Sequence, residues 1–588
     1  MKERIPGLCF GVAAAALLAT AKADLLYHME QFSLFLPKRE FLASFMEQPG
    51  GLLELVGAFL TQFCHYPVIG AILIALCLWL LSAMVQKACN LKDGAALLAL
   101  IPAVFMLLFI MRMDYAVYTM RSYGMLFSQI LGLTAAVSLA AAYRNCCMSS
   151  KAGSCMIPII SIIGFPLIGI YAFIACLLMI ITDDRHRIVN IVSFAAFTVT
   201  IPLICAHFPG IYDRINPKYV FLSGMPFLDF PEGLFEALYP ILLGVVSIIV
   251  LLFAGKASWK LSASIAAASL AVMLALTNWD ADFRTVLGME RAAADENWDE
   301  VISLAKHSKK QTRAQVLYRN VALFEKGRLT EEMFAYPYER QQMSTSIDIA
   351  FICAAPVLHY CGMVNSCDRL SMEASASFTK NIFYFKLMAR DALARGEREL
   401  AEKYIDIVSC NIFEGKWVRR HRAFLEDTES MRKDKCFENI LALMRQQSTE
   451  FDVVEPVELM LRRNFSNPEY VNEQVYEWQM ATMLSWKDTQ TPIYCMFNRQ
   501  DMFPDAHITK GIAEAMALFV SMNGDRNLMV NLVDAMQSQK SILKKFSSFS
   551  NDINRTDDFQ SDKAEQYFSK QYGRSYWLYY YFIDENEL

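Results

Sequence analysis

Long apolar runs, separated by short polar or Pro/Gly-containing segments, dominate the first 282 residues. A membrane-spanning helix needs about 20 mostly apolar residues. Backbone groups in lipid must be satisfied within the chain, so these runs predict helices rather than strands. The predicted spans are Ile5–Ala21, Val68–Gln86, Ala95–Met111, Tyr123–Ala142, Ile157–Ile181, Ile188–His207, Leu234–Ala254 and Leu261–Thr277. Residues 1–282 are therefore predicted to form a transmembrane helical domain.

The first run can be interpreted in two ways. It follows Lys2 and Arg4 and ends in small residues, a pattern typical of a cleavable signal peptide. Because further apolar runs follow it, we interpret Ile5–Ala21 as an uncleaved first span.

The topology depends on Ile157–Ile181, which contains Pro158, Gly164 and Pro166. One kinked span gives eight helices and a cytoplasmic C-terminus, whereas a broken pair gives nine helices and an extracytoplasmic C-terminus. The distribution of Lys and Arg among the loops favours the broken pair under the positive-inside rule. The length of the run argues against two full spans.

Two long loops are predicted on the outer side, at residues 23–66 and 207–233. The first contains an amphipathic stretch, Leu52–Phe63, that is too short to span and predicts an interfacial or re-entrant helix. The second is rich in Pro and aromatic residues, a composition that suits the lipid headgroup zone. The loops are either simple connectors or the roof of a cavity.

Residues 283–550 change to the periodicity of amphipathic soluble helices. Four segments place small residues on a first helix, Gly or Asn at a turn, and an apolar stripe on a second helix. They are Glu290–His307, Gln315–Phe334, Phe385–Val408 and Ala513–Met536. These units resemble diverged tetratricopeptide repeats and predict an α-solenoid. An irregular helical bundle is the alternative.

The last residues, 551–588, combine a polar linker with an aromatic segment. Asn551–Gln566 is polar, and Tyr572–Phe582 concentrates Tyr, Trp and Phe. Such an aromatic run is expected to cap the last repeat, with partner or membrane contact as the alternative. The predicted fold class is thus all-α, with a polytopic membrane bundle followed by a helical-repeat domain.

Charge separates the two halves of the chain. Residues 1–282 carry 17 Lys/Arg and 16 Asp/Glu, and the remainder carries 38 and 44 of the 55 and 60 in the whole chain. The first part is far below the charged fraction of ordinary soluble domains, and the second matches it. This excludes a wholly soluble or disordered protein. Neither half has the strong positive charge of a nucleic-acid-binding domain.

Recognisable catalytic and metal motifs are absent from the sequence. The 15 cysteines form no CxxC pair, and the eight histidines form no HExxH. We interpret Cys353, Cys361 and Cys367 as buried thiols, or as disulfide partners if that half is extracytoplasmic. No cofactor or metal site is evident from the residues alone.

Acidic residues beside the predicted spans are the stronger chemical signal, because ionisable groups near lipid are costly and often functional. Asp24 follows the first span, Glu30 lies six residues on, and Asp114 follows the third span. All three are predicted on the outer side, where two carboxylates could deprotonate and position an acceptor. Ordinary interfacial charges are the alternative.

The stretches Pro49–Phe63, Gly327–Phe334 and Ala401–Tyr404 resemble an uncharacterised family of multi-pass proteins from Bacteroidetes-type bacteria. The resemblance covers most of the chain. It implies a location in the cell envelope and supplies no activity.

The long first outer loop with its interfacial helix, and the acidic residues after the first and third spans, are similar to glycosyltransferases of the protein O-mannosyltransferase type. Some relatives of that type carry tetratricopeptide tails. The resemblance implies a polyprenyl-phosphate sugar donor, with Asp24 (or Glu30) and Asp114 as catalytic residues.

Together these observations predict a multi-pass protein of the bacterial inner membrane that contacts lipid. Its repeat domain, expected outside the cytoplasm, would recruit or scaffold a protein partner. The alternative function is a membrane glycosyltransferase whose repeat domain presents the acceptor. No nucleic-acid partner is expected.

Overall fold

The computed structural model of the chain is mostly helical. It describes residues 5–146, 153–183, 185–207, 217–226, 231–253, 257–308, 311–337, 340–341, 347–444, 456–466, 471–493, 495, 508–522, 540–555 and 562–583. Within these ranges the extended structure consists of β1, Gln311–Thr312, and β2, Arg340–Gln341, which pair in parallel. The predicted all-α class is confirmed.

The helices of the first 280 residues include long apolar ones and short connecting ones. They are α1 Ile5–Ala21, α2 Ala23–Gln31, α3 Arg39–Phe45, α4 Gly51–Thr61, α5 Pro67–Ala88, α6 Leu100–Met111, α7 Met125–Cys146, α8 Gly153–Ile159, α9 Phe165–Ile168, α10 Ile170–Thr182, α11 Arg187–His207, α12 Pro231–Leu252 and α13 Trp259–Leu276. Short 3-10 helices lie at Gln62–His65, Asp93–Ala99, Tyr115–Thr119 and Pro217–Leu222, and a π-helical turn lies at Ile160–Gly164.

The remaining helices are shorter and amphipathic. They are α14 Ala281–Ala294, α15 Trp298–His307, α16 Arg313–Glu325, α17 Leu329–Glu332, α18 Ala355–Tyr360, α19 Val364–Ser377, α20 Ile382–Arg395, α21 Arg398–Val408, α22 Gly415–Glu426, α23 Thr428–Arg432, α24 Lys435–Leu443, α25 Val457–Ser466, α26 Glu473–Ser485, α27 Lys510–Met522, α28 Lys540–Ile553, α29 Asp562–Tyr572 and α30 Tyr576–Phe582. A 3-10 turn, Met333–Ala335, and a π-helical turn, Ala350–Ala354, complete this set.

The chain divides into two compact units that are not continuous in sequence. The first unit comprises Met1–Asp280, Glu373–Lys386 and Lys403–Arg420. The second comprises Ala281–Met372, Leu387–Glu402 and His421–Leu588. Two short later segments are therefore part of the first unit.

Five helices among the described residues are long and apolar enough to cross a membrane. They are Pro67–Ala88, Asp93–Met111 (a 3-10 turn continued by α6), Met125–Asn145, Arg187–His207 and Trp259–Leu276. A sixth is obtained if α1 and α2, which are bent by 77° at their junction, count as one span. Each of these helices overlaps a span predicted from the sequence. The predicted total of eight or nine spans is larger than the five or six helices found among the described residues.

Residues 153–182 form a helical hairpin. Gly169, at φ 58°, breaks the chain between α9 and α10. Phe165 stacks on Phe173 with ring centroids 4.9 Å apart, and Ser161 lies 3.7 Å from Cys176. The contacts pair residues on either side of Gly169 in antiparallel order. The run predicted as one kinked span or a broken pair is therefore broken.

Helix α4 coincides with the amphipathic stretch of the first long loop. Leu53 and Ala58 are buried, whereas Leu52, Val56 and Phe59 are exposed on a face of helical periodicity. Its buried side packs against the start of α7, where a Cβ on Gly57 would stand only 2.4 Å from the carbonyl oxygen of Gly124. The exposed apolar face is typical of a helix that lies at a lipid surface.

The aromatic segment near the C-terminus packs inside the second unit. Tyr576 and Trp577 of α30 are fully buried. The indole N–H of Trp577 donates to the carbonyl oxygen of Glu514 in α27 at 2.7 Å, and the Tyr576 amide donates to the Glu514 carboxylate at 2.7 Å. The predicted linker is largely helical where described, since α28 extends to Ile553 and α29 begins at Asp562; residues 556–561 lie outside the described part.

Candidate functional site

The three acidic residues predicted as a site lie on two neighbouring elements. Asp24 is in the first turn of α2, and Glu30 lies near its end. Asp114 caps the 3-10 helix Tyr115–Thr119, where its carboxylate accepts a hydrogen bond of 2.9 Å from the amide of Ala116. Asp24 and Asp114 are half-buried, and Glu30 is buried.

Aromatic contacts join these two elements. The ring of His28, on α2, meets the ring of Tyr118 edge-on at 4.5 Å. Phe32, just after α2, contacts the same tyrosine at 5.4 Å. The structure thus brings the segment that follows the first apolar helix against the segment that carries Asp114.

Six polar residues of the first unit form one hydrogen-bonded group, which we call the Glu30 cluster. Its members are Glu30, Gln31, His65, Lys386, Asn411 and Glu414. Four are buried, while the side chains of His65 and Lys386 are 19% and 14% exposed, so the group has a narrow outlet to solvent.

The Glu30 carboxylate is fully engaged within the cluster. One oxygen accepts from the amide of Asn411 at 2.7 Å, and the other accepts from the amide of Gln31 at 2.7 Å. Nδ1 of His65 lies 3.4 Å from the second oxygen.

Glu414 is held in a similar way, with an ion pair in addition. Its Oε1 accepts from Gln31 at 2.9 Å and pairs with Nζ of Lys386 at 2.5 Å. Burial raises the pKa of Glu414, but the charge of Lys386 and the hydrogen bonds from Lys386 and Gln31 together bring that pKa below its ordinary value.

The Glu30 cluster brings two carboxylates and one imidazole together with one ammonium. Donor atoms of Glu30, His65 and Glu414 lie within 4.8 Å of one another and could hold a metal ion, but Gln31 and Lys386 already bond to the same oxygens.

Stacked aromatic rings cover the outlet of the cluster. The ring of Phe413 stacks on His65 with centroids 5.7 Å apart, and Tyr66 meets both rings edge-on. This arrangement keeps bulk water from the carboxylates. The Glu30 cluster is therefore a shielded polar core that joins the first long loop to residues 386–414, rather than an open general base.

A second feature is a concave cavity, open to solvent, within the second unit. Its walls come from α16, α25, α26 and the C-terminal helix α30. The apolar and aromatic lining includes Val316, Leu317, Phe334, Leu461, Trp478, Trp486 and Tyr579. Polar groups at the wall are Arg319, Asn320, Glu458, Thr482 and Ser485. A few polar groups within an apolar concavity are typical of a binding site.

Charged and aromatic groups at this cavity are held in place by their neighbours. Glu458 receives two hydrogen bonds from Arg313, of 3.0 and 2.7 Å. The guanidinium of Arg462 lies 4.6 Å above the ring of Trp486. The indole N–H of Trp478 is buried and has no acceptor among the described residues. The sequence analysis did not find this cavity, because its wall residues are scattered between positions 316 and 579.

A family model matches residues 1–583 of the chain. The chain belongs to the family of unknown function DUF6057. This confirms the predicted membership of an uncharacterised family. No curated protein and no solved structure is significantly similar to this DUF6057 chain.

Proposed function

We propose that this DUF6057 protein is a multi-pass protein of the bacterial cell envelope that recruits a polypeptide partner through the cavity of its second unit. The cavity described above carries this proposal. Aromatic walls supply most of the contact area, and Arg319, Asn320 and Ser485 supply hydrogen-bonding groups. The unpaired indole N–H of Trp478 favours a ligand that brings an acceptor.

The helical pairs of residues 283–550 support a tetratricopeptide-like interpretation of this unit. Gly327 and Gly396 take positive φ values of 65° and 78° at the turns before α17 and α21. Such turns let two helices fold back on each other, as they do in helical-repeat proteins that bind peptides. The predicted unit Ala513–Met536 lies partly outside the described residues.

Site-specific photocrosslinking of the full chain in cells tests the recruitment proposal. A benzophenone amino acid placed at Val316 or at Ser485 should form the same discrete adduct with one envelope protein. The adduct should disappear with Trp486→Ala. The same probe at Ser303, which is exposed in the second unit, is the control. Adducts that persist in Trp486→Ala, or none at either position, would contradict the proposal.

We also propose that residues 386–414 lie on the same side of the membrane as Glu30. The hydrogen bond between Asn411 and Glu30 supports this, because it requires an even number of crossings between them. The hairpin of α8–α10 contributes no crossing if it is re-entrant and two crossings if it spans the membrane, so the number is even in both cases. The five long helices with α12, which packs on α6 at Gly244, then give six crossings. With Lys2 and Arg4 inside, that side is extracytoplasmic.

Cysteine labelling in spheroplasts tests this topology. Ser409→Cys, an exposed position in the first unit, should react with a membrane-impermeant maleimide in intact spheroplasts. Asn145→Cys, exposed at the end of α7, should react only after lysis. The native chain supplies the background. Protection of Ser409→Cys in intact spheroplasts would remove the proposal.

A glycosyltransferase that uses a polyprenyl-phosphate sugar is the second candidate. The contact of α2 with the 3-10 helix capped by Asp114 supports it, because Asp24 and Asp114 are then carried by adjoining elements. The Glu30 carboxylate accepts hydrogen bonds from the side-chain amides of Gln31 and Asn411. In a glycosyltransferase mechanism it would therefore position neighbouring groups rather than deprotonate the acceptor.

Transfer of the sugar from polyprenyl-phosphate mannose or glucose to a hydroxyl of an added serine/threonine peptide, by the purified chain in lipid vesicles, tests this candidate. Glycosylated peptide and released polyprenyl phosphate are expected, and Asp24→Asn and Asp114→Asn should abolish both. Glu40→Gln, an exposed position in the same loop, should retain both. No turnover of either donor would rule the candidate out, and the recruitment proposal would stand.

A further inference from the structure

The second unit contains a completely buried group of histidine, cysteine and aspartate. His359 lies on α18, Cys367 on α19 and Asp391 on α20, and all three side chains have zero exposure. They are separate from the cavity and from the Glu30 cluster. Ser371, one turn after Cys367, is also fully buried, and its Oγ lies 3.9 Å from the Cys367 Sγ.

The three side chains are close enough to share one ligand. Nδ1 of His359 lies 2.6 Å from Oδ1 of Asp391. One donor atom from each residue, including Sγ of Cys367, lies within 4.8 Å of the others. Around a tetrahedral zinc ion, with bonds of about 2.0–2.3 Å, neighbouring ligand atoms stand roughly 3.3–3.8 Å apart. Shifts of about an ångström would convert the group into three ligands.

Two polar atoms of this group have no hydrogen-bond partner among the described residues. They are Nε2 of His359 and Oδ2 of Asp391. A buried polar atom without a partner destabilises the folded state. Such atoms in a folded protein call for an explanation, and a bound ion is one of the few available.

Arg390 lies on the same helix as Asp391. The guanidinium of Arg390 bonds to Tyr360, Cys436 and Glu296.

We propose that His359, Cys367 and Asp391 bind a zinc ion in the second unit. Imidazole nitrogen, thiolate sulfur and carboxylate oxygen are the three donor types that zinc takes in proteins. Binding releases the thiol proton to solvent, and the imidazole binds through the ring nitrogen that does not carry its proton. The divalent charge then balances one thiolate and one carboxylate, so the buried site becomes neutral.

The Glu30 cluster is a less suitable metal site, although it also brings three possible ligand residues together. Its carboxylate oxygens already accept hydrogen bonds from Gln31, Lys386 and Asn411, whereas Asp391 keeps an oxygen without a partner among the described residues. No member of the Glu30 cluster is a thiol, but Cys64 lies close to Glu30. A thiolate signal is therefore assigned to the buried group only by its loss in Cys367→Ser.

The test uses the full chain purified from cells grown with zinc, and separately from cells grown with cobalt as the probe ion. We expect an equimolar amount of zinc by mass spectrometry. The cobalt form should show a thiolate-to-cobalt charge-transfer band and the intense visible bands of tetrahedral cobalt. Cys367→Ser should remove the charge-transfer band, and Cys361→Ser, an equally buried thiol, should keep it.

Asp391→Asn serves as the second variant, because it keeps the shape of the side chain and should lower the metal content even if Cys367→Ser folds poorly. His65→Gln, in the Glu30 cluster, should retain equimolar zinc. A metal-free native chain, or a charge-transfer band that persists in Cys367→Ser, would overturn the proposal. Loss of the partner adduct in the crosslinking experiment has no bearing on this outcome.

Discussion

The side-chain amide of Asn411 donates a hydrogen bond of 2.7 Å to the carboxylate of Glu30, across 381 positions of the chain. Both residues are buried in the first unit. Asn411→Ala should destabilise the protein by about 1–3 kcal/mol, because it leaves one oxygen of a buried carboxylate without a donor.

Thermal unfolding of the full chain in detergent measures this effect. Ser409→Ala, an exposed change two residues away, should alter stability by no more than about 0.5 kcal/mol. Equal melting temperatures for Asn411→Ala and the native chain would mean that the Glu30 cluster does not contribute to stability.

The ion pair between Lys386 and Glu414 should make stability depend on pH. Lys386→Met leaves a buried carboxylate without its cation and should cost about 3–5 kcal/mol near neutral pH. The folded-state pKa of Glu414 lies below its ordinary value of 4.5, so the stabilisation is present above pH 4.5 and is lost as the pH falls through the folded-state pKa.

The melting temperatures of the native chain and Lys386→Met should therefore converge as the pH falls below about 4.5, through the folded-state pKa of Glu414. Adding Glu414→Gln to Lys386→Met should restore part of the lost stability at pH 7, because the negative charge of Glu414, which has no cation in Lys386→Met, is removed. A difference in melting temperature between the native chain and Lys386→Met that stays constant with pH would contradict a stabilising ion pair between Lys386 and Glu414.

Glu325 is expected to destabilise the second unit when it ionises. Burial raises its pKa from 4.5 to about 7, and one carboxylate oxygen has no donor. The unfolded chain ionises at lower pH than the folded one, so stability should fall as the pH rises from 4.5 to about 7.

In the native chain the side-chain amide of Asn439 donates to the Glu325 carboxylate at 2.9 Å. Glu325→Gln removes the negative charge and keeps an oxygen that can accept this hydrogen bond. It should add up to about 3 kcal/mol at pH 8 and little at pH 5. Chemical denaturation at the two pH values measures the difference. Glu397→Gln, an exposed acid, is the control, and a gain that is independent of pH would count against a raised pKa.

The C-terminal helix should contribute a large part of the stability of the second unit. Trp577 is fully buried against Phe546 and donates to Glu514. Trp577→Ala should cost about 3–5 kcal/mol, because it opens a cavity and leaves a carbonyl without its donor. Tyr567→Ala, at a side chain that is 58% exposed, should have little effect in the same unfolding assay.

Local features of this protein could be predicted from sequence because each depends on neighbouring residues. The run Val68–Gln86 became Pro67–Ala88, and Leu52–Phe63 became Gly51–Thr61, since apolar periodicity sets both helices. The break within Ile157–Ile181 follows from Pro and Gly, although the turn is at Gly169 rather than at Gly164 or Pro166.

Polar contacts between distant residues could not be predicted in this way. Glu30 was singled out as an acidic residue after a span. Its partners lie far along the chain, with Lys386 on α20 and Asn411 in the turn after α21, in a region whose sequence predicts a soluble domain. His359 and Asp391 lie 32 residues apart on different helices, with no motif spacing between them. Only the packing of the helices brings such pairs together.

The return of residues 373–386 and 403–420 to the first unit determines how this protein can be made. At about 5–20 residues per second, the ribosome needs roughly 20–80 s to proceed from Glu30 to Asn411. During that interval the Glu30 carboxylate lacks the hydrogen bond from Asn411. A chain truncated after residue 280 would lack residues 373–386 and 403–420 of the first unit. We expect the quality-control proteases of the cell to remove such an incomplete unit.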